Sequence, residues 1–105
     1  MKVVFEDTDL QELIETGRNK KYRKYSRDEK FMKRLLLVYA TLCAGDDLSH
    51  SPSFLHYERL KFTYSGYSSV RIGNQYVERI IFREEGDMIT ITILELNNTH
   101  YGNKK

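Results

Sequence analysis

The chain has 105 residues, a length that fits one domain (1–105) with one modest core. Hydrophobic residues make up 40% of it and charged residues 30%, which is typical of a globular protein and excludes intrinsic disorder. No apolar run reaches the ~20 residues of a membrane span, and the first residues lack the apolar stretch of a signal peptide. The single cysteine excludes an internal disulfide and fits a reducing compartment. Together these features predict a cytoplasmic protein that does not bind membranes.

Positive charge is concentrated in one segment, although the net charge is only +2. Nine of the seventeen lysines and arginines lie between Arg18 and Arg34, against two acids, Asp28 and Glu29. Such asymmetry indicates a basic face. Two interpretations remain open for it: a solvated helix surface, or a surface that binds an anionic partner.

Residues 2–6 read as a short strand, because Val and Phe favour the pleated state. Apolar residues then recur at helical spacing over 8–16, after a capping-box pattern that starts at Thr8. Gly17 suits the end of this helix, and the basic run 18–25 is a candidate extension of it.

A longer amphipathic helix is predicted over 27–43, between a capping-box pattern that starts at Ser26 and Gly45. Cys43 falls on its apolar side and is predicted to be a small core residue rather than a nucleophile. The basic residues fall on or near its wet side: Arg27, Lys30, Lys33 and Arg34.

From residue 54 the hydrophobic period changes to two, which predicts strands. Turn residues at 73–74 and 85–87 are hairpin signals, and the strands are too close for helical crossovers. The predicted strands are 54–62, 67–72, 76–83 and 88–96. The expected class is therefore α+β, with an N-terminal strand and two helices packed on one face of a mainly antiparallel twisted sheet whose other face is open.

The length of the central hairpin loop decides where the arginines point. A three-residue loop at 73–75 places Arg71, Arg79 and Arg83 together on the face opposite the apolar residues, whereas a two-residue loop separates Arg71 from Arg79. The hydrophobic pattern favours the longer loop. It also puts Glu78 on the apolar face, which requires a bulge or a buried pair.

The residue content excludes several classes of site. No His, Cys or Glu spacing reads as a metal site, and there is no phosphate loop, dinucleotide motif or serine elbow, so no metal or cofactor is expected. What remains is a set of cations and aromatics that suits unpaired RNA, where Arg clamps phosphate and Tyr stacks on bases. Each member could equally be an ordinary surface or packing residue. The set is His56, Lys61, Tyr67, Arg71, Arg79, His100 and Tyr101.

RNA can be cut without a metal, because its own 2′-OH attacks the adjacent phosphorus when a base, an acid and phosphate-binding cations are supplied. His100 titrates in the range that acid or base work requires, and Arg71 and Lys61 could hold the phosphate.

Three stretches resemble motifs of one toxin family. They are Leu55-His56 with Lys61 and Gly66-Tyr67-Ser68-Ser69-Val70-Arg71; Tyr76-Val77-Glu78-Arg79-Ile80-Ile81-Phe82; and Ile93-Leu94-Glu95-Leu96 through His100. The chain resembles RelE/ParE-superfamily toxins of type II toxin–antitoxin systems, above all their HigB-like (plasmid maintenance killer) branch. It departs from that pattern in lacking a tryptophan at Tyr67-Ser68-Ser69, in a longer gap between His56 and Lys61, and in its Asn-Asn-Thr-His-Tyr ending.

The resemblance implies a metal-independent endoribonuclease that cuts mRNA on the ribosome. The catalytic residues it implies are Lys61, Arg71, Arg79, His100 and Tyr101. The residues expected to bind RNA are His56, Tyr67, Lys20, Lys21, Arg23 and Lys24.

The partners implied are the ribosome, mRNA and a cognate antitoxin. The antitoxin is expected to be a helix-turn-helix DNA-binding protein, and the toxin is expected to contact operator DNA only through it. The basic segment could bind ribosomal RNA or an acidic segment of the antitoxin. Two alternatives stay open: a ParE-like gyrase inhibitor that cuts nothing, and a catalytically inactive interaction module of the same fold.

Overall fold

The computed structural model describes residues 1–45, 48, 50–61, 65–86 and 90–97. In chain order the elements are β1 (Lys2–Phe5), α1 (Thr8–Thr16), α2 (Arg23–Ser26), α3 (Glu29–Ala44), a 3₁₀ helix (Ser53–Leu55), β2 (Glu58–Arg59), β3 (Ser68–Arg71), β4 (Arg79–Glu84) and β5 (Thr90–Asn97). No helix in these ranges is both long and apolar enough to cross a bilayer.

The strands form one mixed sheet in the order β1-β5-β4-β3-β2. Strands β2 to β5 are antiparallel neighbours, and β1 lies parallel to β5 at the edge. The helix layer and one face of the sheet enclose the core, in which Leu35, Ile80, Phe82 and Ile93 are at most 1% exposed. The predicted α+β class is confirmed, with a third, four-residue helix added to the two expected.

Both long helices begin at an aspartate rather than at the predicted capping boxes. Asp7 Oδ1 accepts a hydrogen bond from Leu10 N at 3.0 Å, and Asp28 caps α3 in the same way. A carboxylate is a charged acceptor at the positive end of the helix dipole. The predicted caps at Thr8 and Ser26 were therefore wrong by one and two residues.

Gly17 ends α1 as predicted, in the left-handed conformation with φ 79°. The basic run does not extend α1, because the left-handed residue turns the chain away from the helix axis. The run forms a loop and α2 instead, and its tyrosines Tyr22 and Tyr25 are buried.

Two residues of α3 differ from their predicted places. Cys43 is exposed, because it follows the buried Leu42 by one residue and so points about 100° away from it around the helix. Arg34 is half-buried and donates from Nε to the Ile72 carbonyl at 2.9 Å, so it is not on the wet side.

The strand predicted over 54–62 is mostly absent. Pro52 starts a 3₁₀ turn, and His56 ends that turn in the left-handed region with φ 48°. Extended pairing with β3 is therefore confined to β2 and its immediate continuation. The second face of the sheet is also less open than expected, since Ser69 and Ile81 on that face are fully buried.

Candidate functional site

Two arginines stand side by side on the sheet face that points away from the helices. Arg71 of β3 pairs directly with Arg79 of β4 in the antiparallel register. Arg79 is 7% exposed and Arg71 is half-buried. The predicted face shared by the arginines is confirmed. Because like charges placed opposite each other destabilise a sheet, this pair requires an anion to balance it.

Glu58 supplies one such anion. Its Oε1 lies 3.7 Å from Arg79 Nη1, and its side chain remains half exposed. Glu58 pairs with Ser69, so it projects from the same face as Arg71. Glu58 was not among the predicted site residues, which were all cations or aromatics. The sequence signal that could have placed it is strand alternation. Glu58 lies two residues before Leu60, so both side chains project from the same face of the strand.

One donor of the arginine pair is without a hydrogen-bond partner among the described residues. Arg71 Nε is buried and has no hydrogen-bond partner in the part of the chain that the structure describes. A guanidinium offers five donors in a rigid fork that matches the oxygens of a phosphate. Among the described residues, two guanidinium groups lie beside one carboxylate, and Arg71 keeps a donor that suits an anionic oxygen.

Tyr67 extends this face. Its carbonyl accepts a hydrogen bond from Leu60 N at 2.9 Å, which continues the β2–β3 ladder by one pair. Alternation along the strand then puts Tyr67 on the same side as Ser69 and Arg71. Lys61 follows Leu60 and is exposed, and no contact within the described ranges joins it to either arginine.

His56 lies at the hairpin loop rather than at the arginine pair. Its Nε2 is 3.0 Å from Asn74 Oδ1, so the ring holds the turn that connects β3 to β4. Its left-handed backbone is the one positive φ of a non-glycine residue in the described ranges, and such strain is often found at functional sites. The two terminal predictions, His100 and Tyr101, lie outside the described residues.

The basic segment presents its charges around two buried tyrosines. Lys21 Nζ lies 5.3 Å from the centre of the Tyr22 ring, and Lys24 Nζ lies 5.2 Å from that of Tyr25. Tyr22 donates to Asp7 Oδ2 at 2.6 Å, and burial together with this carboxylate raises the pKa of the Tyr22 phenol. The predicted RNA-binding residues of this segment are all exposed: Lys20, Lys21, Arg23 and Lys24.

The basic segment and the arginine face adjoin each other at β5. A shallow pocket between α2 and this strand is lined by Lys21, Arg23, Lys24 and Glu95. Glu95 pairs with Ile81, which lies on the same side of β4 as Arg79. Glu95 therefore belongs both to the sheet face of Arg79 and to the pocket beside the basic segment. No group of three or more potential metal-binding side chains comes together within the described ranges.

No family model and no curated protein matches this sequence. Its structure is similar to YoeB in the YoeB-YefM complex from Staphylococcus aureus, with a TM-score of 0.59, 18% identity, and 94% of this chain and 97% of that chain covered. It is also similar to YafQ from E. coli strain BL21(DE3), with a TM-score of 0.53, 8% identity and 97% of both chains covered. At these identities the similarity concerns the fold. The chain therefore has the fold of YoeB and YafQ.

Proposed function

We propose that this chain is the toxin of a type II toxin–antitoxin system and that it cuts mRNA on the ribosome without a metal. The observation that carries the proposal is the arginine pair with the half-exposed Glu58 beside it on one sheet face. The fold shared with YoeB and YafQ supports the toxin class. The HigB-like branch rests on the sequence motifs alone.

The chemistry follows from the charges on this face. Arg71 and Arg79 bind the non-bridging oxygens of the scissile phosphate and stabilise the extra negative charge of the phosphorane. Glu58 accepts the proton of the 2′-OH as O2′ bonds to phosphorus. The P–O5′ bond then breaks, and His100 protonates the leaving oxygen, as the family resemblance implies. The products are a 2′,3′-cyclic phosphate and a 5′-hydroxyl.

The remaining predicted residues bind RNA around this centre. Tyr67 shares the face of Arg71 and can stack on an unpaired base. The basic segment adjoins the site and can bind ribosomal RNA or an acidic antitoxin segment. Lys61 and Tyr101 keep the catalytic roles that the motifs imply.

The proposed partners are an antitoxin, the ribosome and mRNA. The S. aureus YoeB structure is a complex with YefM, which supports an antitoxin partner for this chain. We expect that antitoxin to carry the DNA-binding domain and to bring the toxin to operator DNA. The proposed compartment is the cytoplasm.

The test is cleavage of a defined mRNA in a purified translation system, mapped by primer extension with and without ribosomes. Wild type is compared with Arg71→Ala, Arg79→Ala, Glu58→Gln and His100→Ala. Arg83→Ala is the matched control, because Arg83 projects from the same side of β4 but pairs with Glu85 at 3.3 Å.

Ribosome-dependent cuts that Arg83→Ala retains and the four other variants lose would support the function and its site together. Cuts that survive all four substitutions would keep the function and refute the site. If folded wild-type protein cuts nothing, the proposal fails, and a gyrase supercoiling assay then tests the ParE-like alternative.

A further inference from the structure

We infer that Tyr25 and Arg34 are positioning residues that hold the arginine pair in register from the helix side of the sheet. The contacts themselves are independent of activity, and their catalytic meaning rests on the proposed function.

Two residues flank the arginine pair at the end of the ladder. Ile72 directly follows Arg71, and Glu78 directly precedes Arg79. Ile72 N donates to the Glu78 carbonyl at 3.3 Å, so these two residues close the paired region before the turn. A movement of either flanking residue therefore changes the spacing of the two guanidinium groups.

Arg34 of α3 holds Ile72, the residue that follows Arg71. Its Nε donates to the Ile72 carbonyl at 2.9 Å, and its guanidinium carbon lies 5.5 Å from the centre of the Phe54 ring. The ring and the carbonyl together fix the direction of this side chain. Arg34 thus joins α3 and the 3₁₀ helix to the end of β3.

Tyr25 of the basic segment holds Glu78, the residue that precedes Arg79. Its hydroxyl donates to Glu78 Oε2 at 3.0 Å, and both side chains are at least nine-tenths buried. The Tyr25 ring stacks on Phe31 with centroids 4.5 Å apart, which fixes the position of the phenol. This buried pair also explains how Glu78 is accommodated on the apolar face.

Both supports act from the side opposite the arginine side chains, so neither can touch RNA bound there. The two guanidinium groups repel each other, and the hairpin end must resist that repulsion. Cleavage depends steeply on the positions of the groups that bind the scissile phosphate, so even a small displacement of the two guanidinium groups lowers the rate. Loss of either support should therefore slow cleavage by about tenfold or more.

The first arm of the test measures arginine order directly. Nitrogen-15 relaxation of the Arg71 and Arg79 Nε–H signals is compared in wild type, Tyr25→Phe and Arg34→Met. The matched controls are Tyr22→Phe, which removes the bond from a similarly buried tyrosine to the half-buried Asp7, and Lys33→Met, which removes a neighbouring exposed charge on α3.

We expect lower order at both arginines in the two test variants and no change in the controls. Unchanged order in Tyr25→Phe and Arg34→Met would overturn the inference. If Tyr25→Phe does not fold, Glu78→Gln weakens the same contact while it keeps an acceptor, and the same comparison is made with that variant.

The second arm measures the rate of ribosome-dependent cleavage in the wild-type background and the residual rate, at high protein concentration and long reaction times, in the Arg71→Ala background. We expect each test variant to lose about tenfold in the first background and nothing further in the second, where no arginine pair remains to be positioned. Arg34→Lys, which keeps a donor, should recover part of the loss of Arg34→Met. An equal loss in both backgrounds would indicate general destabilisation and overturn the inference. If wild type cuts no RNA, the proposed function fails while the relaxation arm still decides the positioning.

Discussion

The Glu58 carboxylate and the Arg79 guanidinium meet across an intervening strand, because β3 lies between β2 and β4. The contact runs diagonally over the sheet face, past Ser69. It holds a carboxylate oxygen 3.7 Å from a guanidinium nitrogen, the two groups that the proposed mechanism uses as base and as phosphate ligand.

Glu58→Gln should therefore separate binding from cleavage. The amide keeps the size of the side chain but cannot take a proton, so we expect cleavage to fall about 100-fold or more. Loss of a negative charge beside Arg79 should leave RNA binding equal or tighter. Single-turnover cleavage and filter binding measure the two quantities. Parallel losses in both would show that Glu58 has a structural role only.

The basic segment should govern the salt dependence of binding. The triple variant Lys20→Gln, Lys21→Gln, Lys24→Gln removes three exposed charges, which should lower the slope of log K against log salt for single-stranded RNA by about 2. The control triple Lys2→Gln, Lys30→Gln, Lys33→Gln removes three exposed charges from β1 and α3, outside the run 18–25. Titration of a labelled single-stranded RNA at several salt concentrations, from low to moderate, measures the slope for each triple variant. Equal slopes in the two variants would contradict a localised RNA contact.

Asp7 should contribute more to stability than an ordinary helix cap. One of its oxygens caps α1 and the other accepts the Tyr22 hydroxyl. We expect Asp7→Ala to lower the free energy of unfolding by about 2–4 kcal/mol, because a cap and a charged hydrogen bond are lost together. Asp28→Ala, which removes a cap only, should cost about 1 kcal/mol. Urea denaturation gives both values, and equal costs would exclude the double role.

Tyr22 should make the protein sensitive to alkali. Burial and Asp7 raise its pKa above the ordinary value of 10.0, so the folded state holds the phenolic proton more tightly than the unfolded state. The resulting contribution of Tyr22 to stability is complete below the pKa of Tyr22 in the unfolded state. It is lost as pH rises from that value towards the pKa of Tyr22 in the folded state. The free energy of unfolding should thus fall less steeply above pH 10 in Tyr22→Phe than in wild type. If the free energies of unfolding of Tyr22→Phe and wild type had the same pH dependence, Tyr22 would not be the cause of the sensitivity to alkali.

Gly73 should be sensitive to a single added methyl group. A Cβ there would lie 3.1 Å from Tyr76 Cδ2 and 3.3 Å from Arg34 Nε. We expect Gly73→Ala to cost about 1–2 kcal/mol by displacing these neighbours. Gly86→Ala is the control, since among the described residues no atom beyond the chain neighbours lies within 4 Å of the added carbon. Thermal unfolding of the pair measures the difference, and equal melting temperatures would mean that the turn adapts.

The sequence by itself determined the class of the fold and the face that Arg71 and Arg79 share. Helical and strand periodicities are local properties, so α1, α3 and the central hairpin lie close to their predicted positions. The alternation of apolar residues placed both arginines on one face, because the other parity would bury charge. The predicted three-residue loop was too short: Arg71 pairs with Arg79 and Ile72 N donates to the Glu78 carbonyl, so residues 73–77 form the connection.

Only the tertiary structure decided what surrounds that pair. The contacts Glu58–Arg79, Tyr25–Glu78 and Arg34–Ile72 join residues 21, 53 and 38 positions apart in the chain, and no local pattern encodes such distances. Periodicity reports which side of an element is apolar, whereas the partner of a polar side chain depends on how the elements pack. For this reason Glu58 was missed, Arg34 was misplaced, and the partner of Glu78 became known only from the folded chain.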